Sequence, residues 1–305
     1  MPRGLVGSFP AVEYDAQVEI APSSNGVGEA ARSLVYNAYR YSGMMALQER
    51  LAAWRGRSAF AVVLFHRVTD EIPPDGLTVG TEWFRSFCGI MRDRFHVIAL
   101  AEMQRLLALG QTPPPRSVVI TFDDCYHDNL AAARVLADHG LPATFFVPTK
   151  YVGTDHVFEW DIGLKRMPNL TWDDVRLMVH MGHSIGSHSV SHADFGLING
   201  EEARFELEES KRTLEDRLET PIRWFAYPYG GAANFRSVYW PLAQELGYDL
   251  CFSAMRGFVR PNHRGQIMPR IAMPPFRSFA HLELNLAGCL EWFYGMKRTL
   301  GLQTA

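Results

Sequence analysis

Two short stretches hold most of the side chains able to do chemistry. The first is SVVITFDD, residues 117–124, where a β-branched run ends in adjacent carboxylates, Asp123 and Asp124. Acids at the C-terminal end of a barrel strand stand at the mouth where active sites form. Strand alternation sends neighbouring side chains to opposite faces, so both carboxylates reach one site only if the strand has broken by Asp123. The plainer reading is a cap or turn for the following helix, a role open equally to Asp128. The second stretch is GHSIGSHSVSHADF, residues 182–195. His188 and His192 are four apart, a spacing that lets two imidazoles reach one ion from a helical turn or a tight loop. With one aspartate they make a facial metal site that keeps positions open for water and substrate. His183 lies five positions before His188, on the opposite face of a strand, and stays outside that set. His96, His139, His156, His263 and His281 read as ordinary surface or core residues.

Two weaker signals accompany these. In WFAYPYGG, residues 224–231, a strand runs into Pro228 and then Gly230-Gly231, which exposes backbone N–H groups beside Tyr229, as an oxyanion hole requires. In AVVLFHRV, residues 61–68, His66 ends an apolar run with Arg67 beside it. His66 then stands at a strand's C-terminal end, either as a proton donor or as a rim residue next to an arginine paired with an acid. A rival chemistry overlaps the histidines. Gly182-His183-Ser184-Ile185-Gly186 fits the G-x-S-x-G elbow of serine hydrolases, which would make Ser184 a nucleophile. That elbow needs a helix straight after the serine, and Ile185 to Ser191 is poor helix material.

These residues need a scaffold that brings several strand ends together, and the chain length suits one. The 305 residues are 47% hydrophobic and 21% charged, with a net charge of −3. That composition excludes a disordered chain, and the lack of a basic surplus argues against a nucleic-acid partner. No run approaches the roughly 20 apolar residues of a membrane span, and the N-terminus lacks a compact apolar signal core. Cys88, Cys125, Cys251 and Cys289 form no CxxC pair, so neither a zinc knuckle nor a disulfide framework is expected. From residue 58 onward, short apolar runs alternate with helical patterns. Strands are predicted at Ala59–Phe65, Ser117–Phe122, Ala143–Val147, Gly182–Ser187 and Arg223–Tyr227, and more weakly near Leu250 and Ile271. Helices are predicted at Asn129–His139 and Phe235–Leu246, ended by Gly140 and Gly247, and at Glu201–Leu218, where Glu208 and Arg212 would pair.

Residues 1–30 read as a poorly ordered arm. Gly26, Gly28 and Ala31 imitate a dinucleotide loop there, but no strand precedes them. Residues 31–57 read as one basic amphipathic helix. Leu34, Ala38, Tyr41 and Met45 share a face, Leu47, Leu51 and Trp54 continue a nearby one, and Arg32, Arg40, Arg50, Arg55 and Arg57 surround them. Such a helix packs on its own domain or makes peripheral contact with an anionic membrane through residues 32–57. The expected location is cytoplasmic, at the inner face of the membrane if that contact is made.

TFDD at 121–124, HSVSH at 188–192 and FAYPYG at 225–230, in that order, resemble the NodB-homology polysaccharide deacetylases, carbohydrate esterase family four. LFHRV at 64–68 is similar to the early Y-H-R-V strand of the exopolysaccharide deacetylase branch. The resemblance spans about residues 58 to 275. It implies a catalytic domain over 58–278, followed by a C-terminal helical extension over 279–305. It also implies an α/β fold of the distorted (β/α)7 barrel type, and hydrolysis of N-acetyl groups on amino sugars of a poly- or oligosaccharide or glycolipid. By the resemblance, Asp123 is the base, while Asp124, His188 and His192 hold a divalent ion. Zinc suits that donor set, with cobalt, nickel or manganese as alternatives. Tyr229 supplies an oxyanion N–H, and Tyr227, Pro228 and Gly230 share the substrate contact. Three departures stand out. Cys125 replaces the glycine of TFDDG, Ala226 stands where many members have an arginine that orients the base, and the late L-x-x-H motif is missing. His66 is the expected replacement for the acid of that motif, and Arg270 for the arginine. Two further readings use the same residues: an O-acetyl esterase or other amidase, and a glycan-binding module without turnover.

Overall fold

The computed structural model describes residues 34, 36–39, 41–261, 267–273 and 278–291. The arm expected over 1–30, its Gly26-Gly28-Ala31 segment, Arg32, Arg40, His263 and residues 292–305 of the C-terminal extension lie outside the described residues.

Seven strands close a parallel barrel, in the order β1 (Phe60–Phe65), β10 (Ile267–Ala272), β9 (Leu250–Arg256), β8 (Trp224–Ala226), β7 (Ser184–Ser187), β6 (Ala143–Val147) and β5 (Ser117–Phe122). The ring closes where β5 pairs with β1 along its full length, from Phe60↔Ser117 to Phe65↔Phe122. β4 (His96–Val97) adds a short pairing at the start of β5, and β2 (Arg67–Val68) pairs with β3 (Thr78–Val79) beside the barrel.

Alternation sorts the strand residues into two apolar populations. Phe60, Val62, Val119, Phe146, Trp224, Ala226, Leu250, Phe252 and Met268 fill the barrel, with Leu100, Met103 and Leu106 from the Leu100–Ala108 helix. Ala61, Val63, Phe65, Val118, Ile120, Phe122, Phe145, Ile185, Phe225 and Ile271 face the surrounding helices. Both faces are buried, as a parallel sheet demands, so the strands read as continuous apolar runs. Gly186 marks how tightly the interior is filled: a Cβ there would sit 2.5 Å from the Phe146 ring and 3.1 Å from the Trp224 carbonyl. The second glycine of the G-x-S-x-G pattern is therefore a packing requirement of the barrel.

The expected strands appear within two or three residues of their predicted bounds. The Asp128–Asp138 and Gly200–Leu218 helices appear too, and Gly140 and Gly247 take the left-handed conformation that ends a helix. Other expectations need correction. Asp128 does not cap its helix; its carboxylate accepts the Val68 N–H (3.2 Å) and the Asn129 amide. Arg212 binds Glu209, three residues before it, rather than Glu208. The helix expected from Phe235 begins at Tyr239, because Asn234 and Arg236 are tied across to Asp194 and the Gly196 carbonyl. The single helix over 31–57 is interrupted at Ser42–Gly43, where Gly43 adopts φ +78°, and resumes as Met44–Trp54. The Phe279–Leu286 helix is not an appendage: Leu282 and Leu286 join the outer core, and Glu283 pairs with Arg94 and Arg116.

Candidate metal and catalytic site

β5 ends at Phe122, Asp123 donates its N–H to the Phe65 carbonyl, and Asp124 turns to φ +68°. That left-handed residue breaks the alternation, so both carboxylates face the mouth. A non-glycine residue held at positive φ stores strain that the surroundings must enforce. Ser189 (φ +68°), His192 (φ +57°) and Tyr229 (φ +61°) do the same around the same opening. Behind Asp124, Cys125 is fully buried in the outer core, and its carbonyl accepts the Leu170 N–H.

His188 and His192 sit on a tight loop after β7. Glu206, on the Gly200–Leu218 helix, pins that loop by accepting the N–H groups of Val190 (2.8 Å) and Ser191 (2.9 Å) and the Ser191 hydroxyl. His188 Nδ1 lies 2.8 Å from the Ala226 carbonyl. A carbonyl only accepts, so Nδ1 carries the proton and Nε2 turns its lone pair inward. His188 Nε2 is 3.7 Å and His192 Nε2 3.4 Å from Asp124 Oδ1.

One donor atom from each of Asp124, His188 and His192 lies within 4.8 Å of the others, all three side chains buried. Asp124 Oδ1 has no hydrogen-bond partner. Burial, with Asp123 and Asp161 nearby, holds its carboxyl well above the usual carboxylate range, while burial and the neighbouring imidazoles push His192 well below that of histidine. An orphaned carboxylate oxygen facing two inward lone pairs is a donor set for a divalent cation, whose charge would offset that burial.

Asp123 is held differently. Both its oxygens accept from Arg270, Nη1 at 2.7 Å and Nη2 at 2.6 Å, and Arg270 Nε donates to the Ser253 carbonyl at 2.8 Å. Burial raises this carboxyl, but the Arg270 guanidinium and His188 outweigh it and hold it below its ordinary range. Arg270, fully buried on β10, lies over the Phe146 ring inside the barrel. His66 faces the same opening. Burial lowers its imidazole to about 4, against the pull of Asp123.

Leu64, Leu77 and Ala254 complete the lining with Trp160 and Tyr229, around a space of about 10 Å³, room for roughly one water molecule. Gly230 must be glycine, because a Cβ there would lie 2.4 Å from the Ala254 nitrogen. Tyr227, expected to touch substrate, does not: alternation turns it outward, where it packs fully buried against Phe195 and Phe225. Pro228 is buried behind Tyr229 and does not line the opening. Ser184 starts β7 at the other end of the barrel, and a strand follows it where the elbow needs a helix.

Sequence reasoning missed one wall of the site. Trp160 stacks on Phe158 (4.7 Å) and meets His192 (5.1 Å) and Tyr229 (5.8 Å). Its indole donates to the Tyr126 hydroxyl (2.9 Å), which donates to Asp161 (2.6 Å), and Asp161 also accepts from buried Arg67. Arg67 reaches Asp75 as well. The available signal was FEWD at 158–161, an aromatic and acidic cluster in the loop after β6.

A parallel barrel of seven strands with an Asp-His-His donor set and a clamped aspartate at its mouth is the arrangement of a hydrolase of the carbohydrate deacetylase class. The family model for polysaccharide deacetylase matches residues 110–251. A Bacillus subtilis protein, YxkH, is 22% identical over 216 residues, covering 70% of this chain and 71% of its own. A chitooligosaccharide deacetylase of Sinorhizobium fredii is 27% identical over 162 residues, 48% of this chain and 68% of its own. The deacetylase PplD of Streptococcus pyogenes, solved with acetate, superposes with a TM-score of 0.65 at 22% identity, covering 75% of this chain and 98% of that one. Residues 110–251 thus match the polysaccharide deacetylases of NodB homology, hydrolases of linear C–N amide bonds.

Proposed function

We propose that this protein removes acetyl groups from the amide nitrogens of N-acetylated amino sugars in a poly- or oligosaccharide. The observation that carries this reading is the pairing of Asp123, clamped at both oxygens by Arg270, with the orphaned oxygen of Asp124. Neighbouring carboxylates that differ so sharply divide into a base and a ligand.

Asp124, His188 and His192 would hold a divalent ion, zinc suiting two imidazoles and a carboxylate, with cobalt, nickel or manganese as alternatives. Such an ion supplies a more acidic water and a polarised acyl oxygen. Asp123, kept ionised by Arg270, takes the proton of the attacking water. The Tyr229 amide, at its left-handed turn, donates toward the developing oxyanion. The amine leaves only when protonated, and His66 is the group placed to deliver that proton. Burial favours the neutral form of His66, so the proton that Asp123 takes from the water passes to His66 and from it to the amide nitrogen as the C–N bond breaks, giving acetate and the free amine. Leu64, Leu77 and Ala254 give the acetyl methyl an apolar seat, and Trp160 offers a face for the sugar ring.

The test is acetate release from a panel of N-acetyl and O-acetyl oligosaccharides, with and without chelator. Chelator-sensitive release from the N-acetyl members is the expected result. Release confined to O-acetyl members would make the protein an esterase, and sugar binding without release would make it a lectin-like module.

A further inference from the structure

We propose that the outward face of the Met44–Trp54 helix docks on an anionic lipid surface. This inference does not depend on the deacetylase reading. Met44, Leu47, Leu51 and Trp54 are 57%, 58%, 41% and 80% exposed, although each is a large apolar side chain. At about 100° per residue they share one stripe roughly 80° wide. Arg50 and Arg55 fall on either side of it, and Arg57 follows the helix end. None of the three pairs with a carboxylate among the described residues.

The opposite face is already used. Met45 is buried against Leu284 and Cys289, and Glu49, the helix's one acid, pairs with Arg116 at 2.6 Å. The protein thus takes up the acid and the inner methionine, and leaves an apolar stripe edged by uncompensated guanidinium groups. That is the charge and shape complement of an acidic lipid interface, where apolar side chains sink to the acyl boundary and arginines reach the headgroups. Trp54, at the end of the stripe beside Arg55, is the side-chain type that settles at such an interface. A second copy fits less well, since joining two stripes would bring the arginines of each against those of the other. No helix among the described residues is long and apolar enough to cross a membrane, so the attachment is to a surface.

The helix lies at the foot of the barrel. Arg116, its ion-pair partner, immediately precedes β5, whereas Asp123 and Asp124 follow the same strand. Six residues at about 3.3 Å each put roughly 20 Å between them. Docking therefore leaves the mouth open to substrate in solution.

The test is co-sedimentation of the full chain with phosphatidylcholine vesicles, with and without phosphatidylglycerol. Binding is expected only to the acidic vesicles and should weaken as salt rises. Arg50→Gln with Arg55→Gln should weaken it about 30-fold, from roughly 5-fold per arginine near the surface. Leu47→Glu with Leu51→Glu should abolish it. Both pairs should keep the wild-type melting temperature and acetate release from soluble substrate, which separates this failure from loss of fold or of activity. Equal binding to neutral vesicles, no binding to either, or a dimer in sedimentation velocity that Leu47→Glu dissolves would each overturn the proposal.

Discussion

The two ends of the barrel differ in every property that bears on function. At the C-terminal end the space is about 10 Å³, the walls carry two aspartates and three histidines, and three lining residues sit at positive φ. At the N-terminal end a groove of about 480 Å³ opens between Ala101, Val179, Ile185, Leu218, Ile222 and Trp224. There Trp224 donates to Gln104, Arg105 pairs with Glu102, and buried His183 meets the Ala133 carbonyl through Nε2 while its Nδ1 has no partner. The larger concavity is lined by helix residues and by the starts of β7 and β8, and among the described residues it holds no metal-ligating triad. Strain and unpaired buried charge, rather than volume, distinguish the working end, because both cost stability that only function or enforced packing maintains.

The comparison can be broken most forcefully at the metal ligands. Chelation, His188→Ala or His192→Ala should each take acetate release below detection and lower metal content as read by elemental analysis. Activity surviving chelation would end the assignment of this end as a metal site. Next in size is Asp123→Asn, which should keep the metal and lose about 10²- to 10⁴-fold in kcat, the range for a general base.

Arg270→Lys sharpens the same comparison through pH. Arg270 holds Asp123 below its ordinary range, so weakening that grip raises the carboxyl. The acidic limb of kcat/KM, which reports ionisation of the base, should then move to higher pH. An unmoved limb would mean that Arg270 only fills the barrel. Arg270→Met, by contrast, leaves a buried carboxylate unpaired and should cost about 3–5 kcal/mol of stability.

Gly186→Ala tests the packing between the two ends. Its Cβ would press into the Phe146 ring, so a loss of about 1–3 kcal/mol in chemical denaturation is expected. The smallest effect belongs to Ser184→Ala, at the start of β7, which should leave acetate release unchanged. A large loss there would revive the serine-hydrolase reading.

The sequence by itself determined the strands, because both faces of a parallel barrel are buried and the runs from Phe60, Ser117 and Ala143 are apolar throughout. It also marked Asp124, His188 and His192, because donor types at short spacing are a local pattern. The Thr81–Arg94 helix went unpredicted, although Phe84, Phe87, Cys88 and Met91 stand at helical spacing, because the surrounding aromatic residues blur the period. Other features depend on contacts between distant residues. Tyr227 and Tyr229 look alike in FAYPYG, yet strand alternation buries one and a left-handed turn aims the other at the site. Glu206 pins the histidine loop from a helix that looks merely amphipathic, and Trp160 owes its place to Tyr126, Asp161 and Arg67, up to 94 residues apart. Arg270 meets Asp123 across 147 residues, and only closure of the barrel, bringing β10 beside β1 and β1 beside β5, decides that they touch.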